Sequence, residues 1–157
     1  MARVLVFVIF IGALIGFALP SGEDGPAAAN AVQSGERKET VLDRAANGHF
    51  YTHAKINDRE LIHFIVDTGA TVVVLTVEDA QRLGIPVNPA EFTIVGEGAS
   101  GPVMGKDITL DSVEIDGKRV EHVPAAILEG SNLSLLGQAY LSRMGEVEMS
   151  GDYMVLK

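Results

Sequence analysis

The sequence predicts a mostly β domain over residues 48–157, and three observations support this fold class. From about His49 onward, short runs of β-branched and aromatic residues are separated by turn residues, as is typical of an all-β fold. Asn57-Asp58 and Asp116-Gly117 carry the residues that favour tight hairpin turns. Two short stretches carry helix start and stop signals, so we expect one or two short helices beside the strands.

The individual elements follow from local patterns. The predicted strands are Phe50–Ile56, Glu60–Val66, Val72–Leu75, Phe92–Val95, Val103–Ile115, Arg119–Leu128, Glu146–Met149 and Tyr153–Leu156. The first helix is predicted to begin at Thr76, whose hydroxyl can cap it with Asp79 at the third helical position, and to end near Leu83. The second helix is predicted over Gln138–Met144, and Gly145 ends it.

The first residues, 1–20, are predicted to form a membrane anchor. Sixteen uncharged residues follow Arg3 and would span about 24 Å as a helix, against about 30 Å for a bilayer core. A cleaved signal peptide is the alternative, but its best cleavage pattern, Ala29-Asn30-Ala31, lies unusually far from the apolar run. The position of Arg3 favours a single-pass protein whose C-terminal domain is periplasmic or otherwise extracytoplasmic.

The segment that follows, residues 21–47, is rich in Pro, Gly, Ala, Ser and mixed charge, without a sustained apolar period. Such a composition cannot bury enough apolar surface to fold. We therefore predict a flexible linker between the membrane segment and the β domain.

Composition excludes several classes of site. A net charge of −9 argues against nucleic-acid binding, which needs clustered Lys and Arg. The absence of cysteine removes disulfides, thiolate chemistry and Cys-based zinc sites. His49 and His53 would lie about 13 Å apart along a strand, too far to share a metal, and all four histidines are interpreted as structural or surface residues. We expect no metal and no cofactor.

One glycine-rich stretch imitates two known motifs. Gly96, Gly98 and Gly101 fit the dinucleotide fingerprint, but Pro102 and a predicted strand follow where that motif needs a helix. Ser100 resembles the serine of a nucleophile elbow, but Pro102 occupies the position of the second glycine. Neither a nucleotide site nor a serine nucleophile is expected here.

The catalytic candidate is Asp67, which lies between two apolar runs and is followed by Thr68 and Gly69. Asp often caps a turn, and this is the plain interpretation. Here, however, both flanking runs favour the interior, so the carboxylate is expected to be carried in with them. A buried carboxylate needs a partner or a raised pKa, which makes it a candidate for acid–base chemistry.

Two carboxylates that share a proton can hydrolyse an amide without metal, cysteine or an activated serine, because one acts as general base and the other as general acid. The chain carries only one Asp-(Thr/Ser)-Gly; Asp111-Ser112 is followed by Val113. If the dyad exists, a symmetric homodimer must supply the second Asp67.

At this point the sequence resembles the retropepsin-like aspartic proteases, in particular their membrane-anchored bacterial members. The resemblance covers residues 48–157 and depends on the motif at residues 66–71, the apolar Leu135-Leu136-Gly137 and a flap-like segment between them. It implies a closed acid-protease β barrel. It further implies that Asp67 is catalytic and that the following residues support the active-site loop, with Thr68 bracing the two loops across the dimer. These support residues are Thr68, Gly69, Ala70 and Thr71.

The resemblance also assigns the other predicted site residues. Leu135, Leu136 and Gly137 would form the apolar loop that packs behind the catalytic turn. A mobile hairpin, the flap, would close over the substrate. Its predicted residues are Gly96, Gly98, Ala99, Ser100 and Gly101.

The expected function is that of a membrane-tethered, homodimeric aspartic endopeptidase acting on extended peptides. A bound peptide would pair with flap and floor as an added strand. Two alternatives are a catalytically inactive domain of the same fold that binds or scaffolds peptides, and an unrelated anchored β domain in which Asp67 only caps a turn.

Overall fold

The computed structural model of the chain describes residues 38–98 and 101–157. Within them, ten strands, two α-helices and a 3₁₀ turn at Pro89–Glu91 are formed. The strands are β1 (Thr40–Asp43), β2 (Tyr51–Ile56), β3 (Glu60–Val66), β4 (Val73–Thr76), β5 (Thr93–Gly98), β6 (Gly101–Ile115), β7 (Lys118–Leu128), β8 (Ser134–Leu136), β9 (Val147–Ser150) and β10 (Tyr153–Leu156). The helices are α1 (Val77–Arg82) and α2 (Gln138–Met144).

Six strands close into a barrel. Their order is β2-β3-β8-β4-β7-β6, and β6 returns to β2 through the pairs Lys55↔Glu114 and Ile56↔Val113. Strand β5 pairs only with β6, so the β5–β6 hairpin extends from the closed part. The predicted closed barrel with two short helices is therefore confirmed.

Alternating side chains fill the barrel. Along β2, residues Thr52, Ala54 and Ile56 are buried while the residues between them face outward, as the two-residue period of a strand requires. Helix α2 covers the core with three buried side chains, those of Tyr140, Leu141 and Met144. Burial raises the pKa of the Tyr140 phenol, whose hydroxyl donates to the Lys118 carbonyl oxygen (2.8 Å).

Local turn and cap signals were interpreted correctly. Asn57 and Asp58 both have positive φ angles, as do Asp116 and Gly117, which is the geometry that a type I′ hairpin turn demands. The Thr76 hydroxyl accepts the Asp79 backbone N–H at the start of α1 (3.0 Å). These signals were readable because each depends on residues close together in sequence.

The N-terminal boundary of the domain differs from the prediction. Residues 40–43, predicted to belong to the flexible linker, form β1 and pair with β10; β10 also pairs with β9, giving a separate three-stranded sheet. The buried Lys118 ammonium donates to the Lys38 carbonyl oxygen and to the Thr40 hydroxyl oxygen (2.9 Å). Burial lowers the pKa of Lys118. Ordered structure therefore begins before residue 48.

Two predicted features fall outside the described residues: the membrane segment at residues 1–20 and the linker up to residue 37. Within residues 38–98 and 101–157, no helix combines the length and apolar character needed to cross a bilayer.

Candidate active site

Asp67 is the first residue after β3, and backbone hydrogen bonds define its turn. Its N–H donates to the Leu136 carbonyl oxygen (3.1 Å), and its own carbonyl oxygen accepts the Ala70 N–H (3.2 Å). The Gly69 N–H donates to Asp67 Oδ1 (2.9 Å). This hydrogen bond orients the carboxylate through Oδ1, and Oδ2 takes no part in it.

The exposure of Asp67 differs from the sequence-based expectation. The three residues before it, 64–66, are buried, but Asp67 itself is only half-buried, and Thr68 and Gly69 are exposed. The reason is that β3 ends at Val66, so the turn leaves the barrel wall there. Within one chain the catalytic candidate therefore lies half-buried on a turn whose next two residues are exposed.

Strand β8 forms the support behind this turn. It lies between the strands on either side of the turn, parallel to β3 and antiparallel to β4. Leu136 pairs with Val66 and is fully buried, whereas Leu135 is half-buried. The residues of the predicted apolar loop thus include Leu136, whose carbonyl oxygen accepts the Asp67 N–H; the three-residue strand that contains Leu135 and Leu136 was not predicted.

Gly137 allows the close approach of β8 to the turn. A Cβ atom at this position would fall on the Val72 carbonyl oxygen and lie 2.7 Å from that of Ala70. The next two backbone N–H groups continue the contact: Gln138 N–H donates to Ala70 (2.8 Å) and Ala139 N–H to Thr71 (2.9 Å). The start of α2 is thus bonded to the active-site loop.

Gln138 is a support residue that sequence reasoning missed. Its side-chain amide donates to the Thr68 carbonyl oxygen (2.9 Å), across 70 residues of sequence. In the sequence it served only as the first residue of the second predicted helix, and no local signal indicates the contact. Thr68 itself makes this contact through its backbone carbonyl, and the residue is exposed.

The predicted flap coincides with the β5–β6 hairpin. Gly96 pairs with Val103, and Gly98 pairs with Gly101 at the last described pair before the tip. Ala99 and Ser100 lie outside the described residues. An irregularity between Ile94 and Gly96 shifts the register, as a bulge does when it redirects a strand.

A cavity of about 230 Å³ lies between this hairpin and the barrel. Its lining is mainly aliphatic and comes from the active-site loop, β4, the hairpin and β7: Thr71, Val72, Val74, Val95, Gly96, Glu97, Val103, Ala126 and Leu128. The lining residue nearest to Asp67 in sequence is Thr71, four positions later. Glu97 is the one lining residue with a carboxylate. It is large enough for one aliphatic side chain of a peptide.

A second, more polar cavity of about 530 Å³ is lined by residues of β3, α1 and the loop before β8. It contains none of the predicted catalytic-turn residues. At its wall the Ser134 hydroxyl donates to Asp79 Oδ2 (2.6 Å) and accepts the Thr76 N–H (3.2 Å). These bonds join α1 to β8. In the part of the chain that the structure describes, no group of three or more His, Cys, Asp or Glu side chains is placed to hold a metal ion.

Comparison with protein families and curated proteins gives consistent matches. The model of the family described as gag-polyprotein putative aspartyl protease matches residues 52–143, which include Asp67, the β5–β6 hairpin and β8. An uncharacterized protein of Rickettsia prowazekii (strain Madrid E) is 36% identical over 124 residues, covering 78% of this chain and 53% of that protein. An uncharacterized protein of a Sinorhizobium species is 30% identical over 123 residues, covering 77% and 52%. The chain spans about half the length of the curated relatives it matches.

Solved structures support the fold. The crystal structure of a retropepsin-like aspartic protease from Rickettsia conorii is similar with a TM-score of 0.64 and 33% identity, covering 76% of this chain and 90% of that chain. EIAV protease complexed with the inhibitor HBY-793 has a TM-score of 0.51 and 22% identity, covering 64% and 91%; it shows the fold alone. The barrel is thus retropepsin-like.

Proposed function

The chain belongs to the gag-polyprotein aspartyl protease family, and from this premise we propose that it hydrolyses peptide bonds as a homodimer. The observation that carries the proposal is the placement of Asp67, a single carboxylate on a partly exposed turn that is hydrogen-bonded to β8 and to the start of α2. The proposed site is incomplete in one chain, since each chain supplies one such turn. A two-fold axis beside the turn would bring two copies of Asp67 together.

In the proposed dimer the two carboxyl groups share one proton, because two carboxylates in direct contact repel each other too strongly for both to be ionised. The ionised carboxylate accepts a proton from water as the water oxygen attacks the peptide carbonyl. The protonated carboxylate donates its proton to the carbonyl oxygen, giving a tetrahedral diol. As the diol collapses and the C–N bond breaks, the carboxylic acid that took its proton from water donates a proton to the leaving nitrogen, and the ionised carboxylate accepts a proton from a diol hydroxyl. The two acids finish as they began, with one proton between them.

The proposed substrate is an extended peptide between the flap and the barrel. The β5–β6 hairpin offers strand backbone above the aliphatic cavity, and an added strand can pair with such an edge while alternate side chains enter pockets. Exposed Thr68 on the open side of the turn is proposed to brace the loop against its symmetry copy. Gly69, Ala70 and Thr71 are proposed to shape the loop.

We propose further that residues 1–20 tether the domain to a membrane, with the catalytic domain on the extracytoplasmic side and residues 21–37 as linker. The apolar run at the N-terminus supports this arrangement. Because β1 is part of the folded structure, the proposed protease domain is extended to begin at about residue 38.

The test is cleavage of a peptide library by the full chain, compared between wild type, Asp67→Asn and Asp111→Asn. Asp111 is an exposed aspartate on β6, away from the catalytic turn, and therefore gives a matched control. We expect Asp67→Asn to abolish cleavage and Asp111→Asn to leave it unchanged. Equal cleavage by wild type and Asp67→Asn contradicts the proposal.

The dimer requirement is tested by mixing wild type with Asp67→Asn and measuring activity against the mixing ratio. A shared site predicts loss steeper than dilution, because mixed dimers carry only one native carboxylate. Activity that falls in simple proportion to wild-type content, from a protein shown to be monomeric, contradicts the shared site. A verified dimer that binds peptides without cleaving any supports the inactive binding domain instead.

A further inference from the structure

Two histidines meet on the outer surface of the β2–β3 pair. His53 and His63 are direct partners in the antiparallel register, and both side chains are exposed. Their ring centroids are 4.7 Å apart, with the ring planes inclined by 31°. Along one strand, His49 and His53 are too far apart in the sequence-based estimate to share a metal ion. The histidine that lies next to His53 is His63, across the hairpin.

The separation of the two rings suits a common metal ion. A divalent ion binds each imidazole nitrogen at about 2.0–2.1 Å, so two adjacent nitrogens on one ion are about 2.8–3.4 Å apart, the shorter value for square-planar and the longer for tetrahedral coordination. Rings with centroids at 4.7 Å can reach this distance by rotating their side-chain torsions, because both rings are on the surface. The strands need not move.

One of the two imidazoles is already oriented by its neighbours. The Tyr51 ring stacks on His63, with centroids 5.2 Å apart and an interplanar angle of 16°. Tyr51 is in turn held by Asn47, whose side-chain amide donates to its hydroxyl oxygen (2.7 Å). Because this stacking limits rotation of the His63 ring, most of the rotation that brings the two nitrogens together is assigned to the exposed His53 side chain.

We propose that His53 and His63 form a two-histidine binding site for a divalent transition metal ion. Imidazole suits Cu²⁺, Ni²⁺ and Zn²⁺, whereas Mg²⁺ prefers oxygen ligands. Since the described residues provide no third ligand of the His, Cys, Asp or Glu type here, water fills the remaining coordination positions. Within the first-row series the site should bind Cu²⁺ most tightly. The proposal stands independently of peptidase activity.

A bound ion would connect β2 to β3, the strand that ends at Asp67. An ion that binds the folded chain and not the unfolded chain stabilises the fold in proportion to the logarithm of its concentration above Kd. Metal binding also needs neutral imidazoles, so acidification should release the ion. Both effects can be measured without any substrate.

The experiment uses the full chain purified without a histidine tag, titrated with Cu²⁺, Zn²⁺ and Mg²⁺ by calorimetry, with histidine ring resonances followed during the Zn²⁺ titration. His53→Ala and His63→Ala each remove one ligand. The matched control is His122→Asn, which alters the isolated fourth histidine; Asn tolerates the positive φ (49°) at that position.

We expect one Cu²⁺ or Zn²⁺ per chain, no binding of Mg²⁺, and ring shifts at His53 and His63 but not at His122. Either alanine variant should weaken binding on the order of 100-fold, because the second ligand no longer binds at high effective concentration. Tyr51→Ala should weaken it by less, since both ligands remain. Equal binding by wild type and a His53→Ala/His63→Ala double variant, or equal ring shifts at all four histidines, would overturn the proposal.

Discussion

The most direct test of how the active-site turn is supported is the substitution Gly137→Ala. An added Cβ would fall on the Val72 carbonyl oxygen and lie 2.7 Å from that of Ala70. The loop must therefore move away from α2 by roughly 1 Å to restore ordinary contacts. That movement strains the hydrogen bonds from Gln138 and Ala139 N–H to the loop, which measure 2.8 and 2.9 Å.

The expected cost follows from these contacts. Two weakened backbone hydrogen bonds account for about 1–3 kcal/mol, and overpacking adds about 1–3 kcal/mol. Ala also lowers the conformational entropy of the unfolded chain relative to Gly, which stabilises the folded state by about 0.4–1 kcal/mol. We therefore expect the free energy of unfolding to fall by about 1–6 kcal/mol, and cleavage to fall about 100-fold through misplacement of the carboxylate.

Urea unfolding at constant m-value measures the first effect, and peptide cleavage below the unfolding transition measures the second. The matched control is Gly96→Ala, because a Cβ there meets nothing within 4 Å and the backbone φ is not positive. We expect its stability to lie within about 0.5 kcal/mol of wild type. If Gly137→Ala is as stable as Gly96→Ala, the close packing of β8 against the turn does not support the active site as argued.

Three further predictions concern the frame around the site. Removing residues 1–45 should lower Tm relative to removing 1–37, because only the first deletes β1 and the oxygen partners of Lys118; equal Tm values in thermal denaturation would contradict this role. Because burial lowers the pKa of Lys118 from its ordinary 10.5, the unfolded chain holds this proton at higher pH than the folded chain. Wild type should therefore gain stability over Lys118→Met as pH rises from the lowered pKa towards 10.5, and parallel urea-derived stability profiles of the two proteins would refute it. Thr76→Ala should cost about 1 kcal/mol of unfolding free energy, because the hydroxyl caps α1; the exposed Thr109→Ala on β6 is the control, and equal losses would argue against the cap.

Elements governed by neighbouring residues were predictable from sequence. Glu60–Val66, Gln138–Met144 and Tyr153–Leu156 were predicted with the bounds that the structure shows. Each has a clear period and a turn, cap or glycine at its end. The catalytic-turn motif was likewise visible, since it consists of consecutive residues.

Most of the missed features depend on partners distant in sequence. Strand β8 has three residues, too few to show a period, and is formed because β3 and β4 lie on either side of it. Strand β1 lies in a charged, linker-like stretch and is held by β10 and Lys118. The half-exposed state of Asp67 was not predicted, because the apolar residues on either side of it indicate that the flanking strands are buried. They do not show whether the turn between the strands is buried as well. His53 and His63 meet only through strand register.

The long sequence distance between the catalytic turn and its support has a consequence for the order of folding. Thr68 and Gln138 are 70 residues apart, and the pairing of β8 with β3 spans a similar stretch. Such non-local contacts form slowly, since closing a long loop costs entropy before any contact stabilises it. On the ribosome, the Asp67 turn cannot be completed until residue 139 has emerged. A nascent or C-terminally shortened chain therefore carries the aspartate without the geometry that orients it, and the proposed peptidase activity would arise only when synthesis of the domain is nearly finished.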